Sequence, residues 1–255
     1  MRMMLQSERI IQNPNLPEND VSRAAVGERY TETISALYKI GIKALKIKGN
    51  SALPDYLNFH ADMNIFHYSE NTFYCNEFNS IENEKYSDTV DFLKITQNFA
   101  SDYPGDSLLN AVRLGNHLIC NPKTVSKDIL EKAYNDGLNI VNVNQGYTKC
   151  SICIVNSNAL ITDDASIYNS IKKTEIDVLF ISKGSVRLET KDYGFIGGCT
   201  GLAGKNKILF NGRVESHSDC NLIIDFLNQY NMNIIELTDE RLTDIGSILP
   251  LTESF

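Results

Sequence analysis

The sequence predicts an α/β fold in which five similar modules close into a propeller with approximate fivefold symmetry. One pattern recurs along the chain: an apolar, β-rich run that ends in glycine, seen most clearly at residues 140–146 and 178–184. The predicted modules begin about 42 to 48 residues apart, a length that suits a unit of three strands and one helix in a closed repeat architecture. Because such a unit cannot bury its apolar face alone, its copies must pack against one another.

The first four modules are predicted at successive places along the chain. Strands of the first are expected at 59–66 and 72–75, and strands of the second at 108–113, 117–120 and 138–144, with a helix between Ser126 and Gly137. Elements of the third are expected at 150–155, 158–162, 165–173 (helix) and 177–182, and those of the fourth at 195–202, 207–211, 219–230 (helix) and 233–237. Asp164 follows a strand and precedes a helix, so we expect it to be an N-cap.

The fifth module begins at residues 245–249, and the chain ends before its helix and last strand. A helical pattern at 19–40 and an alternating strand pattern at 44–49 lie at the other end of the chain. We therefore expect residues 19–48 to complete the fifth module, so that residues 1–255 form a single domain. Residues 77–107 are the least regular part and predict an exposed excursion, either a solvated loop or a lid over the site.

Composition narrows the classes of function. The chain has 255 residues, of which 42% are hydrophobic, and a formal net charge of −8. The negative charge and the lack of a basic cluster argue against a nucleic-acid partner. No window approaches the roughly 20 apolar residues of a membrane span, and charged residues interrupt the N-terminal start. We therefore expect a cytoplasmic protein that does not bind membranes and whose six cysteines are reduced thiols.

Three passages resemble one known superfamily. Residues 60–63 read His-Ala-Asp-Met, residues 194–199 read Gly-Phe-Ile-Gly-Gly-Cys, and residues 244–251 read Asp-Ile-Gly-Ser-Ile-Leu-Pro-Leu. The first resembles the His-x-Asp site of the pentein superfamily, also called the guanidino-group modifying enzyme fold, and the last resembles its closing motif. The resemblance covers roughly residues 19–252. It implies a pentein-like propeller and an activity related to arginine deiminases, dimethylarginine hydrolases and amidinotransferases.

The chain departs from these enzymes at one important position. The resemblance places a nucleophilic cysteine four residues before the proline of the closing motif, and that position is Gly246. The His-x-Asp passage also lies in an earlier module than in the enzymes. The sequence is therefore most similar to a bacterial branch of the superfamily that lacks the C-terminal catalytic cysteine.

A ring of strands brings the starts of the five first strands together, which predicts a concave site for a small molecule. Candidates at these starts are His60, Asp62, Asn110, Arg113, Cys150, Cys199, Thr200, Asp244 and Ser247. On a strand, His60 and Asp62 would share one face. We expect His60 to transfer protons and the substrate to be held by Asp62, Asp244 and Ser247. The alternative is that His60 and Asp62 only satisfy local backbone groups, and that Ser247 is structural.

Cys199 is the predicted substitute nucleophile, because small residues flank it on both sides and allow a ligand to approach. The alternative is a small buried thiol in a tight turn. Cys150 and Cys153 have metal-ligand spacing, but they belong to a strand pattern and no second close pair exists. Residues 198–205 lack two positions of a phosphate-binding loop. We therefore expect neither a metal nor a cofactor.

Two hypotheses about function remain open. The first is an enzyme that acts on a guanidino or amidine compound, as a C–N hydrolase or an amidinotransferase-like enzyme, with His60 and Cys199 as catalytic residues. The second is a noncatalytic member of the fold that binds a small molecule or a protein partner, which the glycine at position 246 favours.

Overall fold

A computed structural model describes residues 8–75 and 91–255. In these ranges the chain forms five small mixed sheets, four with three strands and one with four. Each sheet contains an antiparallel pair of strands, one of which also pairs in parallel with a further strand. Among the described residues, a helix connects the two parallel strands in four of the sheets, as expected for such a crossover.

The elements follow one another in a regular order. The N-terminal elements are β1 (Glu8–Ile10), β2 (Val21–Gly27), α1 (Thr31–Lys39) and β3 (Lys43–Ile47). Next come α2 (Ala61–Asn64), β4 (Ile65–Ser69), β5 (Thr72–Cys75), β6 (Asp91–Lys94), β7 (Val112–Leu114), β8 (His117–Cys120), α3 (Lys127–Asn135) and β9 (Asn139–Asn142). The remaining elements are β10 (Ile152–Asn156), β11 (Ala159–Thr162), α4 (Ala165–Ile171), β12 (Asp177–Phe180), β13 (Thr200–Gly204), β14 (Lys207–Phe210), α5 (Cys220–Gln229), β15 (Asn233–Glu236) and β16 (Leu249–Ser254).

The two ends of the chain build one sheet together. Its strand order is β1-β16-β2-β3. Strand β16 pairs antiparallel with β2, and β2 pairs in parallel with β3, with α1 between them. The C-terminal residues thus supply one strand of this sheet, and the N-terminal residues supply the other three strands and the helix.

The predicted helix at 19–40 is wrong in its first half. Residues Val21–Gly27 form β2, and the helix begins only at Thr31. Ala24, Ala25 and Val26 are all fully buried, because β2 lies between two paired strands and is covered on both faces. This second half of the strand has no polar face, so its apolar spacing does not distinguish it from a buried helix.

The strand predicted at 59–66 is also wrong at its start, because Ala61–Asn64 form a single helical turn and β4 begins at Ile65. The backbone N–H of Asp62 donates to the carbonyl of Gly246 at 3.0 Å. The Asn64 side chain donates to the carbonyl of His60 at 2.7 Å. The N–H of Asp62 and the carbonyl of His60 thus have the hydrogen-bond partners that a neighbouring strand would provide in a sheet.

The helices predicted for the second, third and fourth modules are confirmed to within a few residues, and so are most of their strands. Two first strands start later than predicted: β7 begins at Val112, and β13 begins at Thr200 after a single 3-10 turn at Gly197–Cys199. Of the predicted excursion, residues 77–90 lie outside the described ranges. Tyr103, in the described remainder, packs against Tyr147 with ring centroids 5.8 Å apart.

No helix in the described ranges has the length and apolar character needed to cross a membrane.

Burial separates the strands of each sheet into inner and outer ones. Strands β10 and β11 are almost entirely buried, whereas β12 has exposed ends. Contacts also join the first strands of different sheets, β10 to β13 and β13 to β16. The segments that precede the first strands are therefore drawn into the interior of the molecule.

Asp164 caps α4, as the sequence predicts: its Oδ1 accepts from the N–H groups of Ser166 and Ile167 at 2.8 and 3.1 Å. We expect Asp164→Ala to lower the free energy of unfolding by about 1 kcal/mol, the usual contribution of such a cap. Asp164→Asn retains the acceptor and is the matched control, expected to lose much less. Urea denaturation of the three proteins measures the difference, and equal stability of the alanine variant and wild type would contradict this role.

Candidate active site

The segments that precede the first strands are joined by hydrogen bonds from module to module. These bonds run from the Asn110 side chain to Asp62 O (3.3 Å), from Cys150 N to Asn110 Oδ1 (3.2 Å), from Gly198 N to Cys150 O (2.8 Å), from Ser247 N to Gly198 O (2.8 Å) and from Asp62 N to Gly246 O (3.0 Å). The series starts and ends at Asp62 and visits all five modules.

Asn110 fixes the position of its neighbours on both sides. Its Oδ1 accepts from the backbone N–H groups of Lys149 and Cys150 at 2.6 and 3.2 Å. Its Nδ2 approaches the sulfur atoms of Met63 and Cys150, each at 3.1 Å. An amide side chain suits this role because it offers donors and an acceptor at one end.

Asp62 carries a carboxylate at the centre of these contacts, and the residue is only 1% exposed. Its Oδ2 accepts from the Cys150 thiol at 3.2 Å and from the Ser247 hydroxyl at 2.5 Å. Burial raises the pKa of Asp62, and the nearby His60 and Lys149 oppose that rise. Its Oδ1 has no hydrogen-bond partner among the described residues.

Ser247 connects Asp62 to a buried cation. The ammonium group of Lys149 donates to Ser247 Oγ at 2.9 Å. The serine hydroxyl has one proton, and both Asp62 Oδ2 at 2.5 Å and the Gly197 carbonyl at 3.0 Å can accept it. We assign the proton to the carboxylate, because that contact is shorter and charge-assisted. Ser247 thus links the ammonium group of Lys149 to the carboxylate of Asp62 through two hydrogen bonds.

His60 is fully buried beside the two carboxylates of the site. Its Nδ1 lies 3.8 Å from Asp244 Oδ1, and neither ring nitrogen has a hydrogen-bond partner among the described residues. Burial lowers the pKa of His60 to about 4, although Asp62 opposes this shift. The imidazole is therefore neutral at pH 7 and able to accept a proton.

Asp244 supplies the second carboxylate. Its two oxygens accept from the backbone N–H groups of Phe195 and Gly246, each at 3.0 Å. Burial raises the pKa of Asp244 to about 6, and these backbone hydrogen bonds oppose the rise. Gly198 lies so close that a Cβ there would be 2.0 Å from Asp244 Oδ1, so glycine is needed for this approach.

Gly246 packs its backbone directly against His60. Its φ of +74° is in the left-handed region, and a Cβ at this position would lie 2.2 Å from the Cβ of His60. The space that a side chain at position 246 would need is therefore filled by the histidine side chain.

Cys150 is the thiol that reaches the cluster. A donor atom from each of His60, Asp62 and Cys150 lies within 4.8 Å of the others, so these side chains are also the ones that could hold a metal ion. Burial raises the pKa of the Cys150 thiol well above its usual range, and the carboxylates of Asp62 and Asp244 raise it further. Without a cationic ligand the thiol is protonated at neutral pH.

Cys199 lies in a different environment. Its thiol donates to the carbonyl of Ile196 at 3.2 Å, and its side chain belongs to the apolar core that also contains Cys153 and Leu202. The reason is its place in the module: Cys150 lies two positions before its first strand, whereas Cys199 lies one position before β13. That difference of one residue directs the Cys199 side chain into the core.

A cavity of about 310 Å³ opens onto Cys150 and Asp244. Four of its lining residues are aromatic: Tyr56, Tyr147, Tyr193 and Phe195. The rest of the lining consists of Leu57, Leu188, Lys191 and Asp192. The site therefore combines a buried carboxylate with several ring faces, the environment in which cations are bound by charge and by cation–π contacts.

A second cavity of about 520 Å³ adjoins the first, and Tyr56, Leu188 and Asp244 line both. Its lining is more polar and includes Arg29, Arg187, Glu32, Glu189 and Glu240. Arg29 is paired with Glu189 at 2.7 Å. A ligand whose cationic end contacts Asp244 therefore has an adjoining polar cavity into which the rest of it can extend.

The structure brings together His60, Asp62, Asp244 and Ser247, the predicted residues other than Cys199. The sequence predicts no role for Lys149. Asn110 and Cys150 belong to the broad set predicted at the strand starts, and the strand pattern argues against Cys150 as a metal ligand. One signal could have identified the last two: both lie two residues before the first strand of their module. No sequence signal identifies Lys149, because its role comes from the approach of Ser247 from another module.

The fold matches several solved structures at low sequence identity. An amidinotransferase from Microseira wollei, SxtG of the saxitoxin biosynthetic pathway, superposes with a TM-score of 0.58 at 9% identity, over 96% of each chain. The inosamine-phosphate amidinotransferase StrB1 from Streptomyces griseus gives 0.53 at 10% identity, over 96% of this chain and 97% of that one. The agmatine deiminase of C. jejuni gives 0.52 at 10% identity, over 95% and 96% of the two chains. The chain thus has the pentein fold, as the sequence predicts.

Sequence comparison identifies the family directly. No curated protein matches the chain. The sequence profile of a family of unknown function, DUF6873, matches residues 25–249, which is most of the chain. The protein therefore belongs to the DUF6873 family.

Proposed function

We propose that this chain binds a guanidino or amidine cation in the 310 Å³ cavity and cleaves one of its C–N bonds by attack of Cys150. One observation carries the proposal: an aromatic-lined cavity opens onto the Cys150 thiol and the Asp244 carboxylate. The carboxylate of Asp62 lies 3.2 Å from that thiol, and the neutral imidazole of His60 lies 3.8 Å from Asp244. The structural neighbours named above include amidinotransferases and an agmatine deiminase, which supports this substrate class by analogy.

We infer that residues 1–255 form one domain, a closed propeller of five modules. The circular series of hydrogen bonds that starts and ends at Asp62 supports closure, as does the sheet shared by the two ends of the chain. The six cysteines, all within the described ranges, are unpaired. Unpaired thiols support our expectation of a reducing, cytoplasmic location.

Binding of a cation follows from the charges of the site. The carboxylate of Asp244 is buried, yet the residue lines the cavity. A ligand with a positive charge and N–H donors therefore stabilises this buried charge more than a neutral ligand does. A planar guanidinium or amidinium can donate to a carboxylate and stack on the rings of Tyr147 and Phe195. Neutral or anionic compounds offer no such compensation.

The bound cation also activates the thiol. The pKa of Cys150 is raised by burial and then by Asp62 and Asp244. A ligand cation placed beside these groups stabilises the thiolate and so lowers the thiol pKa. The proton passes to Asp62, which already accepts from the thiol at 3.2 Å, or to the neutral His60.

The reaction then has two steps. The Cys150 thiolate attacks the central carbon of the cation, so that a C–S bond forms, and the C–N bond breaks as His60 or Asp62 returns the proton to the leaving amine. A water molecule next attacks the same carbon, the C–S bond breaks, and the sulfur recovers a proton. With an amine in place of water the reaction is an amidino transfer.

Cys150 replaces Cys199 as the attacking group in this proposal. Cys199 donates to a backbone carbonyl inside the apolar core, where a charged thiolate would have no partner. The catalytic assignment of His60 and the binding roles of Asp62, Asp244 and Ser247 remain as predicted, with Ser247 acting through Asp62.

Noncatalytic binding is the second candidate function. It is favoured by Gly246, which occupies the position of the enzymes' cysteine, and by a thiol that stays protonated in the absence of a ligand. A binder would be stabilised by a cationic compound that it leaves unchanged.

The first test compares two thiol variants. Incubation with arginine, agmatine and methylated arginines, followed by assays for ammonia, urea and released amines, should detect turnover of at least one compound. Cys150→Ser should lower the rate more than about 10³-fold, since a hydroxyl is a far weaker nucleophile at its ordinary pKa. Cys199→Ser is the matched control and should retain most of the rate. Thermal stabilisation by an unchanged ligand would favour the binding role, and equal losses in both variants would contradict the assignment of Cys150.

The second test uses pH. Because the pKa of Asp244 is raised to about 6, its carboxylate is ionised at pH 7.5 and becomes protonated as pH falls through 6. Affinity for a cationic ligand should therefore be highest above pH 7 and fall as pH is lowered toward 5. Calorimetric titration across this range measures the effect in wild type, and Asp244→Asn should bind weakly at every pH. Affinity that does not change between pH 7.5 and 5 would contradict this role.

The third test concerns Gly246. Gly246→Ala should destabilise the fold by roughly 2–5 kcal/mol, the sum of about 1–2 for a left-handed residue and 1–3 for overpacking against His60. Gly115→Ala is the matched control, since Gly115 also has a positive φ of 53° but no atom within 4 Å of the new Cβ. Denaturant unfolding separates the two contributions, and equal losses would show that His60 does not restrict this position.

A further inference from the structure

We propose that His60, Asp62 and Cys150 form a binding site for a single Zn²⁺ ion, reached from the 310 Å³ cavity. This inference does not depend on the proposed catalytic activity, because it concerns what the empty cluster binds. It departs from the expectation, drawn from the sequence, that the chain has no metal site.

The donor atoms are already close together. One donor atom from each side chain lies within 4.8 Å of the other two, and Cys150 Sγ is 3.2 Å from Asp62 Oδ2. Zinc bound tetrahedrally at its usual Zn–S, Zn–N and Zn–O distances places donors roughly 3.3–3.7 Å apart. No donor separation in the cluster exceeds that spacing by more than about 1.5 Å.

Unpaired polar atoms in the cluster favour an ion. His60 is fully buried and Asp62 is 1% exposed, yet both imidazole nitrogens and Asp62 Oδ1 have no hydrogen-bond partner among the described residues. Buried polar atoms without partners are costly and rare. A cation between them would accept a lone pair from the imidazole and from the free carboxylate oxygen at once.

The chemistry of the donors selects the metal. An imidazole, a thiolate and a carboxylate form a mixed set that suits Zn²⁺, whereas Mg²⁺ and Ca²⁺ prefer oxygen ligands alone. Three protein ligands leave at least one position of a four-coordinate ion for water or a ligand. The charges balance as well, since a thiolate and a carboxylate neutralise the two charges of the ion.

Lys149 is the one buried cation near this cluster in the described part of the chain, and its position is compatible with an ion. Its ammonium group contacts Ser247, which in turn donates to Asp62 Oδ2. The unpaired oxygen of Asp62 is the other one, Oδ1. Lys149 and the ion therefore approach the carboxylate through different oxygens.

Zinc binding releases one proton. The Cys150 thiol loses its proton to solvent as the Zn–S bond forms, and no electron is exchanged. The bound ion occupies the thiol, the imidazole and the carboxylate that the proposed reaction uses. Zinc and a cationic substrate should therefore exclude each other.

Metal titration of the purified full-length protein tests this proposal. After dialysis against a chelator, we expect one equivalent of Zn²⁺ to bind and to release a proton, measured by calorimetry in buffers of different ionisation enthalpy. Co²⁺ should give a thiolate-to-cobalt charge-transfer band in the near ultraviolet, together with strong visible bands of a four-coordinate ion.

Variants identify the ligands. Cys150→Ser should abolish the charge-transfer band and weaken zinc binding more than about 100-fold, since even groups one shell beyond the ligands contribute 10–100-fold. Cys153→Ser and Cys199→Ser remove thiols from the apolar core and are the matched controls, expected to bind as wild type does. Circular dichroism confirms that each variant is folded, and the wild-type cobalt spectrum needs no variant at all. A cobalt complex without the thiolate band, or undiminished zinc binding by folded Cys150→Ser, would overturn the proposal.

Discussion

The carboxylate of Asp62 is the group on which the centre of this structure depends. It is buried, and its Oδ2 accepts from Cys150 of the third module and from Ser247 of the fifth. The backbone N–H of the same residue donates to the carbonyl of Gly246, and its backbone carbonyl accepts from the side chain of Asn110 in the second module. A buried charge is stable only when such partners surround it, so the modules must meet at this point with little freedom in their relative positions.

The same centre has more hydrogen-bond acceptors than donors, and its two carboxylates carry more negative charge than Lys149 compensates. Asp62 and Asp244 lie near a thiol whose pKa they raise and an imidazole that burial keeps neutral. Lys149 compensates part of this charge through Ser247. The remainder is compensated best by a cation that enters through the aromatic cavity, and this one electrostatic requirement underlies both the proposed guanidino or amidine ligand and the proposed zinc ion.

Most helices and strands can be predicted from the sequence because the patterns that specify them lie within a few neighbouring residues. The helix after Asp164 has its cap and its apolar spacing within a few residues, and the hairpins of the later modules have short turns between apolar runs. Errors arose where tertiary neighbours override local pattern. Strand β2 reads as a helix because it is buried on both faces, and the turn that holds His60 reads as a strand because its backbone partner, Gly246, lies at the far end of the chain.

The sequence by itself determined the repeat of the modules, the pentein resemblance and the predicted roles of His60 and Asp62, since these depend on spacing and residue type along a short stretch. Tertiary structure alone decided that Cys150 and not Cys199 reaches the cluster, because one residue of offset before a strand turns a side chain from the centre to the core. It also decided that Lys149 compensates Asp62, because their link through Ser247 joins residues from three modules. Contacts of this kind depend on how the modules pack around a common centre, which no local pattern of residues records.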